Sequence, residues 1–190
     1  MSPLNRLRLS RSVTLTKSRE FDKPDVELVN SLRYLIKQKY FSFGGGYYIS
    51  DHSGNYLLSV AGRAFHIADG LTFYDGAGRE VVFVKKQVVS FPITWEIFRD
   101  GGYFGFMRQD PLSFVRQAFN LTVPNATYVV ARLFPGFKLT VEKDERQVAI
   151  ASKRLFRLTN TYDVNIADTE DDLLMLVALV TAIRIGNRNS

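Results

Sequence analysis

Asp168-Thr169-Glu170-Asp171-Asp172-Leu173-Leu174-Met175-Leu176-Val177-Ala178-Leu179-Val180-Thr181-Ala182-Ile183-Arg184-Ile185 is the stretch that decides how this chain must fold. It reads as a capped helix that is apolar on every side. Asp168 or Thr169 is the expected N-cap, because a short side-chain oxygen can accept from the first unpaired N–H groups. Glu170, Asp171 and Asp172 place negative charge at the positive end of the helix dipole, Arg184 complements the other end, and Gly186 is a natural stop. A helix without a polar face must be enclosed by lipid or by protein. The uncharged run Leu173 to Ile183 is too short to cross a bilayer and has the length of a buried core helix.

Almost everything before it reads as strands. Four segments align: Ile36-Lys37-Gln38-Lys39-Tyr40-Phe41-Ser42-Phe43, Val84-Lys85-Lys86-Gln87-Val88-Val89-Ser90-Phe91, Met107-Arg108-Gln109-Asp110-Pro111-Leu112-Ser113-Phe114 and Ala151-Ser152-Lys153-Arg154-Leu155-Phe156-Arg157-Leu158. Weaker copies begin at Val60 and near Val130. A period of 21 to 24 residues signals a repeated supersecondary unit. Each unit carries a turn: Asp51-His52-Ser53-Gly54, Asp75-Gly76-Ala77-Gly78, Asp100-Gly101-Gly102, Pro124-Asn125 and Lys143-Asp144-Glu145-Arg146. Gly and Asp tolerate the positive φ that tight hairpins require. Six hairpin units predict about twelve strands. The nearly continuous apolar character of Arg79 to Lys86 predicts a strand packed on both faces.

Twelve strands in an open sheet would leave two long edges; closure removes them, and a barrel of that size has room for a helix. A propeller needs four-stranded blades, and six hairpins would supply only three. The expected fold is therefore mainly β, a closed barrel of about twelve antiparallel strands around the buried C-terminal helix. The expected organisation is a basic arm at 1–31, the barrel at 32–186 and a tail at 187–190.

Composition narrows the function. Hydrophobic residues make up 46% of the 190, with fifteen Phe and nine Tyr, as befits a β-rich globular protein. There is no cysteine, which excludes disulfides and thiolate metal sites. The N-terminal stretch has no continuous apolar segment and does not read as a secretory signal. The Asn120 and Asn125 sequons are read as chance matches. The net charge is +6, but residues 1–20 supply +4 of it (five basic, one acidic), so the folded part is only mildly basic. That weakens a nucleic-acid reading.

Leu32-Arg33-Tyr34-Leu35-Ile36-Lys37-Gln38-Lys39 to Phe43, Asp51-x-x-Gly54-Asn55, Gly62-Arg63-Ala64-Phe65, Thr94-Trp95-Glu96-Ile97 and Tyr162-Asp163-Val164-x-Ile166-Ala167-Asp168-x-Glu170-Asp171-Asp172 together resemble the LURP-one-related family. The resemblance covers residues 32–185 and implies the tubby-like fold, a twelve-stranded barrel around a C-terminal helix. Plant members of the family are associated with defence responses. Its structural relatives, the tubby proteins and phospholipid scramblases, act at membranes. The phosphoinositide motif of tubby has no match here, and the family has no catalytic residues to carry over. Residues 1–31 and Asn120 to Gly136 depart from the usual pattern.

No catalytic constellation stands out. His52 and His66 have no metal-ligand spacing with other donors, and Ser42, Ser90 and Ser113 recur at one repeat position, which suits a strand-end hydrogen bond rather than a nucleophile. Nucleophile elbow, P-loop and dinucleotide fingerprints are absent. The expectation is no enzyme, no cofactor and no metal. The residues open to a binding role are Lys37, Lys85, Lys86, Arg108, Lys153 and Arg154, with Arg157 and the Arg6, Arg8, Arg11 cluster nearby. The plain reading is charge that keeps strands soluble. The sharper one is a cationic patch for anionic phospholipid or phosphoinositide headgroups. The function expected is a non-enzymatic binding or scaffold module, cytoplasmic or peripheral to a membrane, with no transmembrane span. The alternative is an intracellular protein-interaction or regulatory domain without lipid binding.

Overall fold

The computed structural model describes residues 28, 30–39, 45–63, 69–111, 117–133, 138–155 and 159–188. Arg6, Arg8, Arg11, Ser42, His66, Ser113 and Arg157 lie outside them. Twelve strands precede one helix: β1 (Ser31–Gln38), β2 (Gly46–Asp51), β3 (Tyr56–Arg63), β4 (Gly70–Tyr74), β5 (Glu80–Lys86), β6 (Thr94–Arg99), β7 (Gly102–Gln109), β8 (Ala118–Val123), β9 (Ala126–Leu133), β10 (Lys138–Lys143), β11 (Arg146–Lys153), β12 (Thr161–Ala167) and α1 (Asp172–Arg188). Each strand pairs with its sequence neighbours, and β1 pairs with β12, so the sheet closes into an antiparallel barrel.

The sequence repeat has a physical counterpart. The residues that open its six copies, Ile36, Val60, Val84, Met107, Val130 and Ala151, lie one per odd-numbered strand and are at most 1% exposed. Each stands opposite a buried residue of an even-numbered strand: Ile49, Phe73, Ile97, Leu121, Val141 and Val164 respectively. Together they line the interior around α1. Since strand side chains alternate, the second residue of each copy faces out and the third returns to the lumen side.

Even strands lead into the odd strands through short turns at one rim, here the turn rim. Asp100 and Gly101 (φ 50° and 78°), like Asp144 and Glu145 (φ 49° and 62°), form two-residue loops in the left-handed region, the geometry that matches strand twist. The Asp51 carboxylate instead accepts from the Asn55 backbone N–H and Nδ2, both at 2.8 Å, which accounts for that Asp-x-x-Gly-Asn motif. Four even strands bulge before their turns, at Ile49/Ser50, Phe73/Tyr74, Ile97/Phe98 and Val141/Glu142. The β8–β9 pair runs in continuous register from Ala118–Ala131 to Val123–Ala126, so the sequence departure there corresponds to a hairpin without the bulge. The opposite end, where odd strands lead into even ones, is the linker rim.

Leu174 through Ile183 are at most 4% exposed, so α1 is enclosed on every side, as an all-apolar helix requires. Its ends differ from expectation. The cap is Asp171, whose Oδ1 accepts from the Leu174 N–H at 3.1 Å; the helix starts later than the Asp168–Thr169 reading implies. The acidic run also reaches the barrel wall. Tyr34 donates its hydroxyl proton to Asp172 Oδ2 at 2.6 Å, Tyr128 donates to Glu170 Oε2 at 2.8 Å, Lys143 pairs with Glu170 at 3.2 Å, and Arg99 pairs with Asp171. Three carboxylates thus fix the helix to strands β1, β6, β9 and β10. Gly186 is not a stop: the helix continues to Arg188, and a Cβ at Gly186 would lie 1.6 Å from the Arg132 guanidinium. Glycine there lets an arginine of the wall cross the helix surface. Arg184 is buried and pairs with Asp69 at 3.0 Å.

Strand β5 is also corrected. Val82 and Val84 are buried, whereas Val81 and Phe83 are half-buried on the outer face. Phe83 belongs to an outer aromatic row with Phe98 and Tyr103, at ring separations of 6.2 and 5.9 Å.

The lumen imposes a pH limit. Burial pushes the Tyr47 phenol up to about 12, with neighbouring Tyr162 adding to the rise and Arg184 opposing it. Tyr34, Tyr128 and Tyr162 are raised too, each first by burial; Asp172 and Glu170 add to the rise at the first two. A folded pKa raised above the unfolded value gives stability that is complete below about pH 10 and is lost as pH climbs through the folded pKa. Urea unfolding free energy is therefore expected to fall between about pH 10 and pH 12. Tyr47→Phe should remove on the order of 2 kcal/mol of that alkaline loss. An unchanged slope would show that Tyr47 titrates normally.

Candidate functional site

All six cationic candidates lie at the C-terminal ends of odd strands and therefore share the linker rim, where α1 also ends. Closure of the barrel then divides them. Lys85 on β5 and Arg108 on β7 flank β6, with Lys85 opposite Glu96 and Arg108 opposite Thr94. Lys37 on β1 and Lys153 on β11 flank β12, opposite Thr161 and Tyr162. Strands β6 and β12 are six steps apart in a ring of twelve, so the two groups occupy opposite sides of one rim.

The repeat frame also sorts them by direction. Lys37, Lys85 and Arg108, at the second repeat position, are exposed on the outer surface. Lys86 and Lys153, at the third, are half-buried at the lumen mouth. Arg154 is held by Asp163 through two hydrogen bonds of 2.6 and 2.5 Å, so its charge is met within the protein. The Arg108 guanidinium stacks over Phe106, 4.9 Å from the ring centre, an arrangement that keeps it extended along the wall. Lys85 and Arg108 lie two strand spacings apart and two residues out of step along β6, so their backbones are about 12 Å apart, within the reach of two long side chains toward one anionic group or two adjacent ones. The acidic residues nearby are Glu96, which accepts from Gln87 Nε2 at 2.8 Å, Asp110, two residues beyond Arg108, and Asp69, whose carbonyl accepts from Lys86 N–H at 2.8 Å and whose carboxylate pairs with Arg184.

Sequence reasoning missed the link between β5 and β6. Val88, Val89 and Phe91 read as the second half of the repeat copy that begins at Val84, yet they are 64%, 94% and 93% exposed. The available signal was position: they follow Lys85-Lys86 after the strand has ended and precede Pro92, which cannot donate to a ladder. Beside β6, a crevice lined by Asp69, Leu71, Trp95, Thr181 and Arg184 opens between the strands and the end of α1.

No described helix is long and apolar enough to cross a membrane, a statement that does not bear on strands. Among the described residues, no group of three or more His, Cys, Asp or Glu is arranged to hold a metal.

A closed twelve-stranded barrel threaded by a C-terminal helix defines the tubby-like class, and similarity to known proteins narrows it. The model of the LURP-one-related family matches residues 32–184, and the chain belongs to that family. It is 35% identical to Protein LURP-one-related 15 of Arabidopsis thaliana over 57 residues, which cover 30% of this chain and 26% of that protein. It is 30% identical to the Uncharacterized protein YxjI of Bacillus subtilis (strain 168) over 66 residues, 35% of this chain and 41% of that protein. The matched segments thus span less than half the length of either relative. An X-ray structure of an Arabidopsis thaliana protein superposes with a TM-score of 0.57 at 15% identity, covering 82% of this chain and 94% of that one, and so supports the shared fold.

Proposed function

We propose that this chain is a non-enzymatic binding module that docks on anionic phospholipid surfaces through the β5–β7 side of its linker rim. The observation that carries the reading is the exposure of Lys85 and Arg108 on either side of β6, with Lys86 beside them at the lumen mouth. Each basic residue near an anionic surface contributes about 1 kcal/mol of attraction, so three suffice for weak, salt-sensitive association. The helix occupies the lumen, which leaves the outer surface and the rims to meet a ligand.

Sedimentation with phosphatidylcholine vesicles, with and without phosphatidylserine and phosphatidylinositol bisphosphate, tests this. The protein should pellet with the anionic vesicles at low salt and be released as salt is raised, because exposed charges are screened within about 10 Å at 0.1 M. Failure to pellet with anionic vesicles at low salt would remove the lipid reading and leave a protein-interaction role.

A further inference from the structure

We infer that the β5–β6 link, Gln87 to Ile93, is a hydrophobic anchor that inserts into the bilayer while the flanking cations engage its headgroups. The inference rests on the anionic-surface reading and adds what that reading lacks: a depth and an orientation. Within four residues, Val89 and Phe91 present their apolar side chains almost wholly to solvent and Val88 presents most of its own. Isolated exposed apolar residues are ordinary; three at one protruding tip form a concentrated patch that water solvates poorly.

The tip is held in place. Gln87 N–H donates to the Thr94 carbonyl at 2.9 Å, Thr94 N–H donates to Ser90 Oγ at 3.0 Å, and the Thr94 hydroxyl donates to the Pro92 carbonyl at 3.0 Å. These bonds close the base of the link and tie the Ser90 and Thr94 hydroxyls to its own backbone. A preformed tip loses little conformational freedom on insertion.

Charge complementarity identifies the occupant. Lys85 and Lys86 immediately precede the link, and Arg108 lies across β6 from them. Apolar side chains at a tip with cations behind them match the layering of an anionic membrane, where acyl chains lie beneath phosphates. Among the described residues, the opposite side of the rim shows no such cluster: Leu155 is 61% exposed and Tyr48, opposite Lys37, 48%. The barrel should therefore meet the membrane tilted, with β5–β7 lowest and the turn rim away from it.

The absence of cysteine makes the test direct. Val89→Cys carries a polarity-sensitive fluorophore at the tip, and Ser53→Cys carries it on the exposed turn at the other rim. With anionic vesicles, the residue-89 probe should shift to shorter wavelength and be quenched by lipids bearing nitroxide on their acyl chains, while the residue-53 probe stays unchanged. Val89→Ser/Phe91→Ser should weaken vesicle binding about tenfold or more, and that loss should persist at salt concentrations that screen the lysines. Pelleting with the residue-89 probe still in water would overturn the anchor and leave the charge reading standing. Insertion that is equally strong with uncharged phosphatidylcholine vesicles would uphold the anchor and overturn the charge reading. No binding to any vesicle would overturn both, and would point to a protein that covers the tip instead.

Discussion

Leu179→Asp should yield no folded barrel, only insoluble chain or chain without cooperative unfolding. Leu179 sits midway along α1 with no exposure, and the described residues around it belong to an almost entirely apolar core. A carboxylate placed there would lose its hydration without gaining a counter-ion, a cost comparable to the whole stability of a domain. Leu179→Ala is the graded control. It removes packing atoms without adding charge and should cost about 2–5 kcal/mol, according to how far the strands collapse onto the cavity. Thermal unfolding followed by circular dichroism separates the cases. A soluble Leu179→Asp protein with a native melting transition would mean that the strands do not depend on the helix they surround.

The helix is also where the sequence was most and least legible. Its burial was readable because eleven consecutive positions offer no polar face, and no surface position could accommodate them. The twelve strands were readable because the first repeat residues, from Ile36 to Ala151, recur with the spacing of one hairpin and all face the same interior. The destinations of Glu170, Asp171 and Asp172 were not readable. Capping accounts for such a run locally, whereas their partners Tyr34, Arg99 and Tyr128 come from strands far apart in sequence and are brought together only by closure. Gly186 misled for a related reason: a helix stop and a close approach by Arg132 leave the same residue in the sequence.

The cationic candidates divide along the same line. Their common rim follows from their common place at the ends of odd strands, which the repeat reveals. Their separation into two sides depends on counting strands around a closed ring. The exposure of Val88, Val89 and Phe91 was hidden because apolar residues after a strand resemble more strand, and Pro92 was the local sign that the ladder ends.

The central claim, that the β5–β7 side faces an anionic surface, is tested most directly by vesicle sedimentation of two charge variants against the unaltered chain. Lys85→Ala/Lys86→Ala/Arg108→Ala removes three charges from one side, and at about 1 kcal/mol each should weaken binding to anionic vesicles roughly a hundredfold at low salt. Its salt dependence should flatten as well. Lys37→Ala/Lys153→Ala removes two charges from the opposite side of the same rim and should change binding by no more than a few-fold, the residual effect of net charge. All five positions lie at strand ends, so both variants should melt close to the parent, which thermal unfolding verifies. A hundredfold loss confined to the first variant is the predicted result; equal losses in both, or loss in the second alone, would contradict it.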